Sequence, residues 1–139
     1  MDQLKSTRYQ NRCIGITGAG GTLGRALTRC FRVSGAEVVG LTHRTPPEVQ
    51  DDEGPHRWIS WQCGEETALD ADLAQLDVLV LNHGINPKGG QSIDDVNRAL
   101  EINALSSWRL MQRYEDISRR NVREKPMEIW VNTSEAEIQ

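Results

Sequence analysis

The chain is predicted to fold as an α/β protein around a doubly wound parallel sheet of about five strands. Three observations predict it. Short apolar runs alternate with stretches of helical periodicity over the 139 residues. A glycine-rich turn containing Gly18, Gly20, Gly21 and Gly24 joins the first run to the first periodic stretch. Finally, residues 76–81 (Leu76, Asp77, Val78, Leu79, Val80 and Leu81) are almost continuously apolar, as a parallel strand buried on both faces must be. Right-handed crossovers follow for such a sheet, and neither internal repeats nor low-complexity blocks interrupt the alternation.

The elements follow in order. Cys13, Ile14, Gly15 and Ile16 form a short strand. Leu23, Ala26, Leu27, Cys30 and Phe31 then fall at helical spacing, and Ser34 with Gly35 supplies the stop. Residues 36–41 make a second strand, and a polar, proline-bearing loop over 44–55 leads to a third over 57–61. A short helix is expected over 67–75, followed by the fourth strand at 76–81. A long helix is predicted over 92–120, capped near a Ser or Asp, with Ile93, Val96, Leu100, Ala104, Ser107 and Met111 on one buried stripe. Residues 127–132 read as a fifth strand. Residues 1–11 read as an extension ahead of a domain over 12–139.

The glycine turn carries the first functional signal. A strand, a glycine turn and a helix start present unpaired backbone N–H groups and a positive helix dipole to a phosphate, while glycines keep Cβ atoms away. A dinucleotide is the expected ligand, with Thr17, Gly18, Gly20, Gly21, Thr22, Leu23 and Gly24 as its contacts. The alternative is a tight turn that serves helix–strand packing alone, a reading that suits Gly15 better. No Lys-Ser or Lys-Thr pair follows the last glycine, which disfavours a nucleotide-hydrolysing P-loop.

Composition narrows the partners. A net charge of −4 argues against a nucleic-acid surface, and no window is long and apolar enough to span a bilayer. The opening residues lack the apolar core of a secretory signal, and Cys13, Cys30 and Cys63 form an odd, unpatterned set, so reduced, packed thiols in the cytoplasm are expected. His43, His56 and His83 have no metal-ligand spacing, and no metal site is predicted. Trp58, Trp61, Trp108 and Trp130 read as packing residues or surface anchors, and the basic run from Arg119 to Lys125 as a solvated helix end.

In an NAD-type site an acid stands about 20 residues beyond the turn and binds the ribose hydroxyls. Here Thr42, His43 and Arg44 occupy that region. With no carboxylate to repel it, a 2′-phosphate can be held by Arg44 and the Thr42 hydroxyl, so NADP(H) is predicted over NAD(H). A solvated loop arginine is the other reading.

Taken together, Thr17, Gly18, Gly21 and Gly24, then Leu81, Asn82, His83 and Gly84, then Asn103, and last Val131, Asn132, Thr133 and Ser134 make residues 12–139 resemble the short-chain dehydrogenase/reductase superfamily. The segment from Trp130 to Glu137 is further similar to a cyanobacterial subgroup of short-chain dehydrogenases associated with sterol desaturase. The resemblance implies a Rossmann-like fold and hydride transfer between a nicotinamide cofactor and a small carbonyl or alcohol substrate. It implies that Gly84 lets the backbone pass the cofactor ribose and that Asn82 stabilises the central sheet or contacts the cofactor. It also implies that Asn103 holds a water in a proton relay and that Ser134 supplies the catalytic serine. His83 replaces the usual alanine and is not expected to be catalytic. Homo-oligomerisation through the long helix is a further expectation.

One part of that pattern is absent. Family members complete catalysis with a tyrosine acid–base and a lysine four residues later, whereas Cys13 and Ser118 stand four positions beyond Tyr9 and Tyr114. The register at Val131–Ser134 is also open: if the usual Ser-Ser pair aligns with Ser134 and Glu135, a carboxylate occupies the catalytic position. Two readings follow: an amino-terminal cofactor-binding part of a longer reductase, inactive alone, or a noncatalytic dinucleotide-binding or interaction module. A methyltransferase with a similar turn is disfavoured, because no acid follows the second strand.

Overall fold

The computed structural model describes residues 8–47, 52–84 and 92–132. Five parallel strands form one sheet in the order β3-β2-β1-β4-β5: β1 (Cys13–Thr17), β2 (Glu37–Thr42), β3 (Arg57–Ser60), β4 (Val78–Leu81) and β5 (Glu128–Val131). The chain builds outward from β1 to β3, then returns to the other side of β1 for β4. The connections that leave the carboxyl ends of the paired strands β1 and β4 therefore run in opposite directions, the place where open α/β sheets leave a ligand crevice.

Alternation along each strand sorts the core onto two faces. Ile14, Ile16, Val78 and Val80 pack with Phe31 of α1 (Thr22–Val33), whereas Val39, Leu41, Leu79 and Leu81 pack with Leu110 and Tyr114 of α4 (Ser106–Arg120). A one-residue slip of either strand would exchange these faces, so burial fixes the register. Gly15 is a packing glycine, as expected: a Cβ there would meet the side chains of Leu76 and Leu41. The short helix resolves into a 3₁₀ turn, Glu66–Leu69, and one turn of α2, Asp70–Leu73. Arg109 and Arg113 of α4 reach Glu66 and Asp70 there, which ties α4 to this segment.

The long helix departs from expectation. It comprises α3 (Ile93–Leu100), a single π-helical turn at Glu101–Leu105, and α4. Ser92 caps it by accepting the Asp95 amide, as its sequence position suggested. The predicted stripe is not the buried one. Ile93 is 73% exposed and Leu100 54%, and the core is instead formed by Ile102, Ser106, Leu110, Tyr114 and Ile117. A wider turn inserts a residue and rotates everything beyond it by about 100° relative to a continued 3.6-residue period. The exposed stripe residues Ile93, Val96 and Leu100 lie ahead of that turn in α3, which buries none of its residues, and burial begins only at Ile102 within the turn.

Two other expectations need correction. Arg123 is no solvated end of a basic run: its guanidinium bonds the carbonyls of Ala74 and Leu76 and the carboxylate of Asp77, closing the loop before β4. Cys30 is exposed rather than packed, while Cys13 is half-buried and its thiol is pushed up to about 11 by that burial. Trp130 packs with Tyr9 and Phe31 at ring distances of 5.5 and 5.4 Å, and Glu128 accepts from Arg8, Tyr9 and Trp130. This knot joins the segment ahead of β1 to β5 across the sheet. Among the described residues no helix is long and apolar enough to cross a membrane, and no cluster of metal-ligating side chains occurs.

Candidate functional site

The carboxyl ends of β1, β2 and β4 border a cleft of about 440 Å³ lined by Gly18, Gly20, Gly21, Thr22, Leu23, Thr42, His43, Arg44, Asn82, His83 and Gly84. The fold thus brings together most of the residues singled out from sequence. Thr45, Pro47, Trp58 and Asn132 also line it. Trp58 had read as a packing residue or surface anchor; its ring lies over Gly40 of β2, where a Cβ would come 2.7 Å from it, and that missing side chain is the local signal.

The glycines of the turn divide into two kinds. Gly18 adopts a φ of +65°, and a Cβ on it would lie 2.9 Å from the Asn82 carbonyl oxygen and 3.0 Å from His83 Cα. Gly24, buried in α1, leaves no room either: a Cβ would fall 2.7 Å from Ala19 Cα and press on the Gly18 carbonyl. These two are demanded by the fold. Gly20 and Gly21 are not, because the nearest atoms to an added Cβ stand at 3.8 and 3.5 Å. Both are exposed on the cleft, and Gly21 caps α1 in extended backbone, at φ −79°, with no side chain bonded to the first amides. The first amides of a 12-residue helix are thereby left facing the cleft without a capping side chain.

Thr17 organises the junction between β1 and β4. Fully buried, its Oγ1 accepts the amides of Asn82 at 2.8 Å and His83 at 3.1 Å, and it lies 2.9 Å from His83 Nδ1 and 3.3 Å from the Val80 carbonyl. Asn82 faces the next strand, where its Oδ1 accepts Asn132 Nδ2 at 2.8 Å. That bond ties the end of β4 to the residue that follows β5. The Asn82 backbone meanwhile closes on Gly18, so the residue serves the sheet and shapes the cleft at once.

His83 is buried and stacks edge-on to Trp61, with His43 beyond at 6.4 Å. Burial, then the neighbouring His43, push its pKa down to about 4 against a weaker pull from Glu66, which leaves the imidazole neutral near pH 7. His43 is also lowered, by burial and then by Arg44 and Arg98. Neither ring is a cation in the cleft at neutral pH. The one described guanidinium lining it is Arg44, exposed, whose amide bonds the Thr42 hydroxyl at 3.0 Å. No carboxylate lines the cleft among the described residues.

Asn103 sits within the π turn, exposed, with its Oδ1 against Gly84, where an added Cβ would come within 2.9 Å. Its amide thus stands beside Gly84 of the cleft lining rather than on the apolar stripe. Ser134 lies outside the described residues.

The arrangement suits a long anionic ligand. Helix amides stand at one place, a guanidinium some distance along, and open glycine surface lies between. Residues 14–124 match the NAD dependent epimerase/dehydratase family. Over 129 residues the chain is 36% identical to the monoglucosyldiacylglycerol epimerase of Synechocystis sp., a match that covers 90% of this chain and 31% of that protein. Among solved structures, Thermoplasma acidophilum aldohexose dehydrogenase superposes with a TM-score of 0.65 at 19% identity, covering 83% of this chain and 47% of that one. A short chain dehydrogenase from Leptospira borgpetersenii with bound NAD+ gives 0.64 at 19% identity, over 81% and 48%. The chain thus spans about a third of its curated relative and about half of these structures.

Proposed function

The chain belongs to the NAD dependent epimerase/dehydratase family, a group within the short-chain dehydrogenases, and from that premise we propose that its cleft binds NADP(H) in preference to NAD(H) as the cofactor-binding part of a longer oxidoreductase. One observation carries the reading: Gly20 and Gly21 have room for side chains and ordinary backbone angles, so the bare surface they leave over the first turn of α1 serves a ligand rather than the fold.

The amides at the start of α1 receive the pyrophosphate, Gly20 and Gly21 let it approach, and Gly84 lies where a ribose passes. Thr42 and Arg44 receive the 2′-phosphate, a choice supported by the absence of an acid at the end of β2. When bound, the cofactor supplies the hydride donor or acceptor. Asn103 holds a water for proton transfer, and Ser134 hydrogen-bonds the substrate oxygen; both roles rest on the sequence resemblance. The substrate of the longer protein is a carbonyl or alcohol. Its Synechocystis relative is named for epimerisation, which oxidation of a carbinol and reduction from the opposite face would accomplish. Because no Tyr-x-x-x-Lys occurs in the 139 residues, this part alone binds the cofactor without turning over substrate.

Calorimetric titration of the chain with NADPH and NADH tests the proposal, with Gly21→Ser, a position where the fold has room for a side chain, expected to weaken both. NADPH is expected to bind at least about tenfold more tightly. Equal affinities reject the preference, and a folded chain that binds neither rejects the site.

A further inference from the structure

Thr17 has one hydroxyl proton and two lone pairs, yet four groups surround its oxygen. Two of them, the Asn82 and His83 amides, can only donate, and they fill both lone pairs. The proton must then go to the Val80 carbonyl, 3.3 Å away, or to His83 Nδ1, 2.9 Å away. For an O–H donor 3.3 Å is long. The shorter contact takes the proton, which makes Nδ1 an acceptor and places the ring hydrogen on Nε2.

We propose that His83 is a positioning residue of the cleft: its neutral imidazole accepts the Thr17 hydroxyl proton on Nδ1, which frees both Thr17 lone pairs for the Asn82 and His83 amides and holds the loop after β4 against the glycine turn. The close approach of that loop to Gly18, within 3.0 Å of where a Cβ would be, gives the spacing its consequence. A proton on Nδ1 would put two donors in opposition across 2.9 Å and turn the hydroxyl back to Val80. The loop would then be free to lift from the turn where a dinucleotide must lie.

The surroundings keep the ring in this state. His43, from the loop after β2, opposes a proton on His83 and is itself lowered by burial and then by Arg44 and Arg98; Glu66, from the turn before α2, is the group that favours protonation. Nε2 is buried and has no hydrogen-bond partner among the described residues, so its N–H is left unbonded at a cost that the Thr17 contact at Nδ1 must outweigh.

The inference rests on the dinucleotide reading for its effect on binding, but its geometry is read without ligand. Long-range ¹H–¹⁵N NMR of the labelled chain should show a pyridine-type Nδ1 and a protonated Nε2 for His83 from pH 8 to pH 6. A protonated Nδ1, or titration of His83 with an ordinary histidine midpoint, overturns the proposal. Binding of NADP+, which tolerates acid, is then compared in two folded variants with matched thermal melts. His83→Ala, which removes the acceptor, is expected to weaken binding about tenfold. His83→Asn, whose side-chain oxygen can stand where Nδ1 stood, should stay within about threefold of the parent and lose its decline in acid. Equal binding by the alanine variant and the parent also overturns the proposal. If the parent binds no dinucleotide while the NMR tautomer is as assigned, the cofactor reading fails and the Thr17–His83 geometry stands.

Discussion

Asn103 and Gly84 meet across the mouth of the cleft, the amide oxygen of one filling the space that a side chain on the other would need. The contact is made by a side-chain atom on an exposed turn rather than by backbone, so a shift of a few tenths of an ångström relieves it. Gly84→Ala should therefore change stability by no more than about 0.5 kcal/mol while displacing the Asn103 amide. Chemical denaturation paired with the ¹⁵N shift of that amide checks both halves; a large loss of stability would mean that the contact is rigid.

Gly24 and Gly21 should respond in opposite ways. Gly24→Ala drives a methyl into the Gly18 carbonyl and Ala19 Cα and is expected to cost about 3 kcal/mol. Gly21→Ser places a good cap at the start of α1 and should stabilise the chain by a few tenths of a kcal/mol, roughly. The same serine competes with a phosphate for the first helix amides, and NADP+ affinity should fall about tenfold. Urea melts and calorimetry separate the two quantities.

Arg44→Ala is expected to abolish the preference between the two cofactors and leave NADH affinity within about twofold, because an exposed guanidinium contributes only where a phosphate meets it. A preference that survives the substitution would place the 2′-phosphate elsewhere.

Stability should fall with acid through His83. Its folded pKa, about 4, lies below the unfolded value of 6.5, so between these limits the unfolded chain takes up the proton more readily. The contribution is nil above about pH 7, grows as the pH drops through 6.5, and levels off below 4 at about 3 kcal/mol. Melting curves of the parent and His83→Asn should diverge over that interval, with the asparagine variant the flatter.

Tyr114, one of two tyrosines in the chain, is a core residue whose buried hydroxyl donates to the Leu76 carbonyl at 2.7 Å, and burial raises its pKa. Arg123 also serves that carbonyl. Tyr114→Phe leaves no acceptor bare and should cost less than about 1 kcal/mol by thermal denaturation, with cofactor affinity unchanged.

The strands, their order of appearance and the glycine turn were legible because each depends on local chemistry: period, turn residues and a strand buried on both faces. The cleft residues Thr42, His43, Arg44, Asn82, His83 and Gly84 were legible from their places just beyond apolar runs. What local pattern does not carry is whatever depends on partners far along the chain. The helix buries Ile102, Ser106 and Leu110 but leaves Ile93, Val96 and Leu100 exposed, because which face is covered depends on distant partners that α4 has and that α3, among the described residues, lacks; the π turn at Glu101–Leu105 is not encoded in a 3.6-residue template. Arg123 looked solvated until Asp77 and the Ala74 carbonyl, from another loop, came beside it. Glu66, buried, was invisible because its partners are the Gly64 amide and Arg109 of a distant helix. Thr17 was picked for its neighbourhood to phosphate, whereas its structural work is to join two strands.

The knot of Arg8, Tyr9, Trp130 and Glu128 makes the segment before β1 and the edge strand β5 a single cooperative unit. Opening either end exposes the other, so amide hydrogens in β1 and β5 should exchange with solvent in concert rather than fray separately. An affinity tag abutting Arg8 would thus be felt at the far edge of the sheet, and one set off by a flexible spacer would not.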